Sequence, residues 1–249
     1  MPTDKFTKGD TKLTEPVSFV KPVKLTKGGE GSIPFSPDMK LTATLEWQGR
    51  GLRLGLFGLA LGAIIGLLVG EFIVTIILGL LFGSAGFLIG HFLSDLELVA
   101  LRIPSGGPMI ADEIYWDNLG NDTRHPFVKH HGDSKTPGRE IITIHNPGSH
   151  RHIAFAVYSA FRNGPGSLFS YRARVVVSDG INPPVMVPLY NRKQSYWCTI
   201  ALITIKNGEV VIKQIEQYNR IGDEHFPQLT ADGQIVPGGG PARTYKRRT

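Results

Sequence analysis

Residues 54–70 read LGLFGLALGAIIGLLVG, residue 71 is a glutamate, and residues 72–90 read FIVTIILGLLFGSAGFLIG. As helices the two halves reach about 26 to 28 Å at 1.5 Å per residue, close to the roughly 30 Å hydrocarbon core of a bilayer. One continuous helix would run to roughly 55 Å and leave Glu71 at mid-membrane, where a carboxylate costs on the order of 3 kcal/mol. Two helices that turn at Gly70-Glu71 carry the charge to the far headgroup layer instead. Length and charge therefore predict a transmembrane hairpin over residues 51–93, with Glu71 at its tip. The same block as the buried core of a soluble protein would need more apolar cover than this otherwise polar chain supplies.

Within the block, Gly58, Gly62, Gly66 and Gly70 recur at intervals of four, as do Gly79 with Gly83 and Gly86 with Gly90. Small residues at this spacing let helix backbones approach closely. The simpler use is to pack the two arms of one hairpin together. The other is a glycine zipper, joining several copies into a ring or pore. Arg50, Arg53 and Arg102 lie on the side that carries both termini, so the bias of Lys and Arg toward the cytoplasm puts both soluble flanks there. No apolar stretch follows the opening MPTDKFTKGDTKLTEP, so a secretory signal is not expected. The lone Cys198 sits in a strand-like run and reads as a small buried hydrophobe.

Outside the block the chain is polar and rich in Gly and Pro. Alternation predicts strands at 24–29, 40–47, 96–103, 141–145, 153–160, 171–178, 198–205 and 209–215. The last two are joined by Lys206-Asn207-Gly208, and Asn-Gly is a strong hairpin signal. Many short strands between such turns argue an all-β sandwich. The expected organisation is an N-terminal extension over 1–23, a discontinuous sandwich over 24–50 and 94–220, the inserted hairpin, and a flexible basic tail over 221–249. The insertion joins two strands of one sandwich, so its ends must return close together, which requires an even number of crossings. The net charge of +6 and pI near 9.4 suit an anionic surface, and Arg243, Lys246, Arg247 and Arg248 add to it in the tail. No zinc-finger or helix-turn-helix spacing accompanies the charge, so nucleic acid is not an expected partner. The expected partners are the lipid bilayer and other proteins, including further copies of the chain.

The run KLTKGGEGSIPF (24–35) followed by LTATLEW (41–47) resembles the opening of the tellurium-resistance TerD family of bacterial stress proteins. Further along, residues 94–100 (SDLELVA) resemble its acidic strand, 114–119 (IYWDNL) its aromatic strand, and 131–134 (HGDS) its His-x-Gly-Asp-Asn element. Residues 140–144 (EIITI) and 203–219 (ITIKNGEVVIKQIEQYN) resemble the strand and closing hairpin that follow. Each motif is short; the likeness lies in their order, over about 24–219 apart from the insertion. It implies a TerD-like β-sandwich and calcium held by clustered carboxylates, which carried over residue by residue are Asp95, Glu97, Asp133 and Glu140. Calcium takes six to eight oxygens. The family's dense acidic run after this element is replaced here by Lys135-Thr136-Pro137-Gly138-Arg139, and the added positive charge predicts weak calcium binding or none. The plainer reading makes Asp95 and Glu97 juxtamembrane charges and Asp133 a turn residue.

His125, His130, His131, His145, His150 and His152 crowd one stretch, and two on one strand face could ligate a transition metal, but their spacing fits no strong zinc pattern. No nucleophile elbow, Walker loop or Rossmann fingerprint is present, so an enzyme is not expected. The reading that follows is a non-enzymatic binding or scaffold module. It would be anchored at the cytoplasmic face of a bacterial inner membrane and related to stress response or tellurite resistance, or to a phage or mobile-element relative of such systems. The alternative is a glycine-zipper pore or a component of a membrane-associated assembly.

Overall fold

The computed structural model describes residues 21–92, 94–107, 111–134, 138–160, 163 and 167–242. In chain order its elements are β1 (Val23–Lys24), β2 (Glu30–Pro34), β3 (Lys40–Glu46), α1 (Gly51–Val69), α2 (Phe72–Phe92), β4 (Leu96–Pro104), β5 (Asp112–Ile114), β6 (Gly120–Asn121), β7 (Val128–His130) and β8 (Arg139–His145). There follow β9 (His150–Ser159), β10 (Arg174–Ser178), β11 (Val185–Pro188), β12 (Trp197–Lys206), β13 (Glu209–Tyr218), β14 (Gln228–Leu229) and β15 (Ile235–Val236). Two sheets face each other, ordered β1-β11-β10-β3-β8-β7-β6 and β2-β13-β12-β9-β4-β5. The expected all-β sandwich interrupted by a two-helix hairpin is the observed fold.

The strands of the first sheet alternate as a sheet with one wet face should. Leu41, Ala43 and Leu45 of β3 are buried while Thr42, Thr44 and Glu46 are half-exposed, and Val175 and Val177 of β10 repeat the pattern. In the second sheet, the strands β4, β9 and β12 are buried on both faces over most of their length. Leu96, Leu98, Phe155 and Ile203 point into the core between the sheets, whereas Val99, Leu101, Ala154 and Trp197 point outward into a separate apolar cluster.

That outer cluster corrects the expectation of a flexible tail over 221–249. Up to Ala242 the segment folds back as the β14–β15 ribbon, with Phe226 and Leu229 fully buried. The ring of Phe226 lies 4.5 Å from that of Trp197 and 5.6 Å from that of Tyr115. An apolar sheet face needs cover, and the few apolar residues spaced through this polar segment supply it. The basic residues 243–249 lie outside the described residues. A smaller correction concerns 24–29: β1 ends at Lys24, and a turn at Lys27-Gly28 precedes β2.

The hairpin leaves the first sheet at the end of β3 and returns to the second at the start of β4, so it is rooted in both layers. Its turn is Gly70, at φ 81°, a left-handed conformation that glycine tolerates without a Cβ clash. Gly70 is thus the turn residue and touches no facing backbone. A Cβ at Gly58 or Gly62 would lie closer than 3.0 Å to the carbonyl of Phe82 or Leu78, and one at Gly66 as close to Cα of Thr75. Gly86 meets Leu54 and Gly90 meets Gly51 in the same way. Gly83 is tight against Leu59, while a Cβ at Gly79 would find its nearest neighbour at 3.5 Å. The glycine face of α1 therefore lies against α2 of the same chain.

This contrast is testable with one methyl group. Gly62→Ala should cost about 1–3 kcal/mol through overpacking and lower the melting temperature of the full chain in detergent. Gly79→Ala, with room for its methyl and a better helix propensity, should leave that temperature unchanged or raise it slightly.

Candidate functional site at the root of the hairpin

Where the hairpin meets the sandwich, a small set of hydrogen bonds closes the loop. The backbone N–H of Arg50 donates to the carbonyl of Gly90 at 3.2 Å and to the Ser94 hydroxyl at 3.1 Å, and that hydroxyl donates to the Gly90 carbonyl. Trp47, buried at the end of the β3 run, donates its indole N–H to the Ser94 carbonyl at 2.6 Å. The Arg50 guanidinium donates to the Asn163 carbonyl and lies 4.4 Å over the Tyr171 ring. Asn163 in turn donates its side-chain amide to the carbonyl of Asp95.

Asp95 is thus fixed at the point where the chain re-enters the sandwich. Glu97 follows two residues later, so both side chains leave the same face of β4. They are fully buried at 0% and 1% exposure, and Asp133, half-buried, joins them from the loop after β7. One carboxylate oxygen from each lies within 4.8 Å of the others. An oxygen-only set of carboxylates fits a hard cation, and these three residues form a group that could hold a metal ion.

Glu140 is not part of that group. Its Oε2 accepts from Leu98 N at 2.6 Å and its Oε1 from Ser134 N at 3.1 Å. Pairing of β5 with β4 covers only Ala100 to Arg102, so the earlier edge of β4 finds a buried carboxylate in place of a neighbouring strand. Glu140 thereby ties the Asp133 loop to the strand that carries Glu97. Beside it, His130 approaches with Nε2 3.5 Å from Oε2, while its Nδ1 accepts from Gly132 N at 3.0 Å. Gly132 sits at φ 100°, which explains the glycine after the histidine pair. Lys135 lies outside the described residues, and Arg139 lines a neighbouring cavity on the sheet's outer surface.

The histidines do not converge. Among the described residues, the three carboxylates are the one group of metal-ligating side chains. His131 contacts Thr143 and His152 contacts Thr204. His150 is buried near Arg102 and His125 at the far end of the sandwich. Arg102 itself is 1% exposed and paired with Asp112, so it does not flank the hairpin; Arg50 and Arg53 do. Sequence reasoning also missed Asn163 and the carboxylate–amide role of Glu140. Each is set by a contact between segments far apart in the chain and leaves no local pattern.

No protein-family model matches the chain, and no curated protein matches it. Two solved structures are similar to it. One is a crystal structure of a protein of unknown function, with 11% identity and a TM-score of 0.44, covering 74% of this chain and 93% of that one. The other is a homologue of the telluride resistance protein TerD from Streptomyces coelicolor, with 13% identity and a TM-score of 0.43, covering 73% and 90%.

Two measurements follow from this geometry. A hard divalent cation at about a hundred times its dissociation constant should stabilise the chain by roughly 2.7 kcal/mol. That should raise the melting temperature on the order of 5–10 °C, and Asp133→Asn should remove the rise. Separately, burial, with Arg102 and His125 nearby, pushes the His150 imidazole down to about 4, against ~6.5 unfolded. The neutral ring therefore contributes fully above ~6.5, and its contribution is lost as pH falls from there to about 4, on the order of 3 kcal/mol. Urea midpoints measured from pH ~7 to ~4 should fall more steeply for the wild type than for His150→Gln.

Proposed function

We propose that this chain is a non-enzymatic binding module that a transmembrane hairpin holds at the cytoplasmic face of a membrane. One observation carries the reading. Both helices are long and apolar enough to cross a bilayer by length and composition, and their glycine faces are spent on each other. What remains outward is apolar on every side, as with Leu68 at 83% and Phe72 at 76% exposure. Such a surface needs a hydrophobic solvent, and the sandwich covers little of it. At about 28 and 31 Å the helices match a hydrocarbon core, with the exposed Glu71 at the far headgroups. Arg50 and Arg53 at the near side support the cytoplasmic orientation.

A surface tether raises the effective concentration of the sandwich for membrane-bound partners, which is the physical use of the anchor. The carboxylate cluster at the root suits calcium among the hard cations, with three residues contributing and the remaining oxygens coming from water or a partner. The order of TerD-like motifs supports a place in bacterial stress or tellurite-resistance systems, or in a phage or mobile-element relative of them. A multi-copy glycine-zipper pore has less support, because the α1 repeat it would use faces α2.

The full chain should remain with the membrane after carbonate extraction. A version with residues 54–90 replaced by a short Gly/Ser linker should become soluble with an unchanged β-type circular dichroism spectrum. Release of the full chain by carbonate would contradict the anchor and point to an apolar surface buried in a protein assembly.

A further inference from the structure

Residues 189–196 cross from the first sheet to the second at the same end of the sandwich as the hairpin. Pro188 of β11, Arg174 of β10 and Glu46 of β3 are register partners, so β11 ends level with β3, roughly 10 Å to its side. β12 begins at Trp197, opposite Tyr158, and the next residue of β9, Ser159, faces Leu96 at the start of β4. The connection therefore spans the two layers alongside the hairpin root. Leu189, Ser195 and Tyr196 are buried, and Arg192, Lys193 and Gln194 form its exposed apex.

One buried carboxylate ties this connection down. The register of β12 against β13 slips between Thr199 and Ala201, so Ile215 and Glu216 oppose the single residue Ile200, a bulge of the kind that re-aims a side chain. Glu216 is buried and holds φ 50°, a left-handed conformation uncommon outside glycine. Its Oε1 accepts from Tyr190 N at 2.7 Å, Asn191 N at 2.5 Å and the Tyr218 hydroxyl at 3.1 Å. Its Oε2 accepts from the Gln214 amide at 3.1 Å. The Tyr190 hydroxyl adds a bond to the Leu25 carbonyl. Glu216 is thus spent on holding the loop's own backbone.

The two cations at the apex are left to the surroundings. Among the described residues, neither Arg192 nor Lys193 pairs with a carboxylate, and Arg192 lies 5.2 Å over the ring of Phe169. Phe169 belongs to the short turn Leu168–Tyr171, and the Tyr171 ring of that turn carries the Arg50 guanidinium. These contacts place the apex beside the start of α1, where Arg53 is also exposed. With the hairpin inserted, this end of the sandwich faces the headgroups, and an anionic leaflet attracts such cations within roughly 10 Å. We infer that the Arg192-Lys193 apex rests on anionic phospholipid headgroups around the hairpin, a second contact that sets how the sandwich sits on the bilayer. The inference rests on the hairpin being inserted.

The test uses the full chain in nanodiscs of phosphatidylcholine, alone or mixed with phosphatidylglycerol, with a fluorophore attached through Gln194→Cys. Cys198 is buried and stays unlabelled in the folded chain. Quenching by acrylamide, which is neutral and water-soluble, should fall about twofold or more in the anionic discs. Raising the salt from about 0.1 to about 1 M should restore it, because the screening length drops to about 3 Å. Adding Arg192→Gln/Lys193→Gln, at exposed positions, should remove the protection without changing the melting temperature, whereas Arg192→Lys should keep it. Equal quenching in the two kinds of disc overturns the proposal, and so does protection that survives in the double glutamine variant. Carbonate extraction separates the two failures. A resistant chain with an unprotected apex sinks this contact alone, whereas a chain released by carbonate removes the premise.

Discussion

An excursion out of a β-sandwich must come back to where it left, and most of this molecule's organisation follows from that closure. The chain departs at Arg50 and returns at Ser94, and the two are joined by hydrogen bonds from Arg50 N to Gly90 and Ser94. Forty-odd residues can be accommodated only as an even number of elements of equal length, which α1 and α2 are within two residues. Close approach of the arms brings those ends together, and Gly58, Gly62, Gly66, Gly86 and Gly90 make it sterically possible. The root and the carboxylates just after it are fixed in place by the same closure.

Much of this was legible in the primary structure because it depends on local pattern. The apolar block, its interruption at Gly70-Glu71 and the alternating strands β3 and β13 are properties of neighbouring residues, and the fold has them where the pattern puts them; β10 starts three residues later than expected, because Leu168–Tyr171 form a short 3-10 turn. The legible part of the candidate site is likewise local: Asp95 and Glu97 share a strand face by period-two geometry. What escaped was set by distant contact. The 221–242 segment looks like a polar tail until the apolar outer face of β4, β9 and β12 is known to need Phe226 and Leu229. Glu140 looks like a ligand until the uncovered edge of β4 is seen to need its carboxylate. Arg102 counts as a hairpin-flanking charge by position and by structure is a buried arginine paired with the exposed Asp112.

The carboxylates and the hairpin share residues rather than merely proximity. Asp95 gives its carbonyl to Asn163, whose own carbonyl takes the Arg50 guanidinium, so one asparagine touches both the exit strand and the entry to α1. Asp95, one of the three carboxylate residues, is therefore separated from the entry to α1 by the single residue Asn163. Networks of this kind, largely buried and mutually paired, hold a single geometry more firmly than isolated pairs.

The two stems of the hairpin rise from different sheets, β3 from one and β4 from the other. An anchor on a flexible linker would let the bilayer tilt or thin without consequence for the domain it carries. Here the few residues between β3 and α1 are pinned by Trp47 and Arg50, so there is little slack to absorb such a movement. Helices that tilt to match a thinner membrane would load the seam between the layers, pushing one sheet along the other. With the hairpin inserted as proposed, the two sheets would feel bilayer thickness through these two stems, as a lever feels its fulcrum.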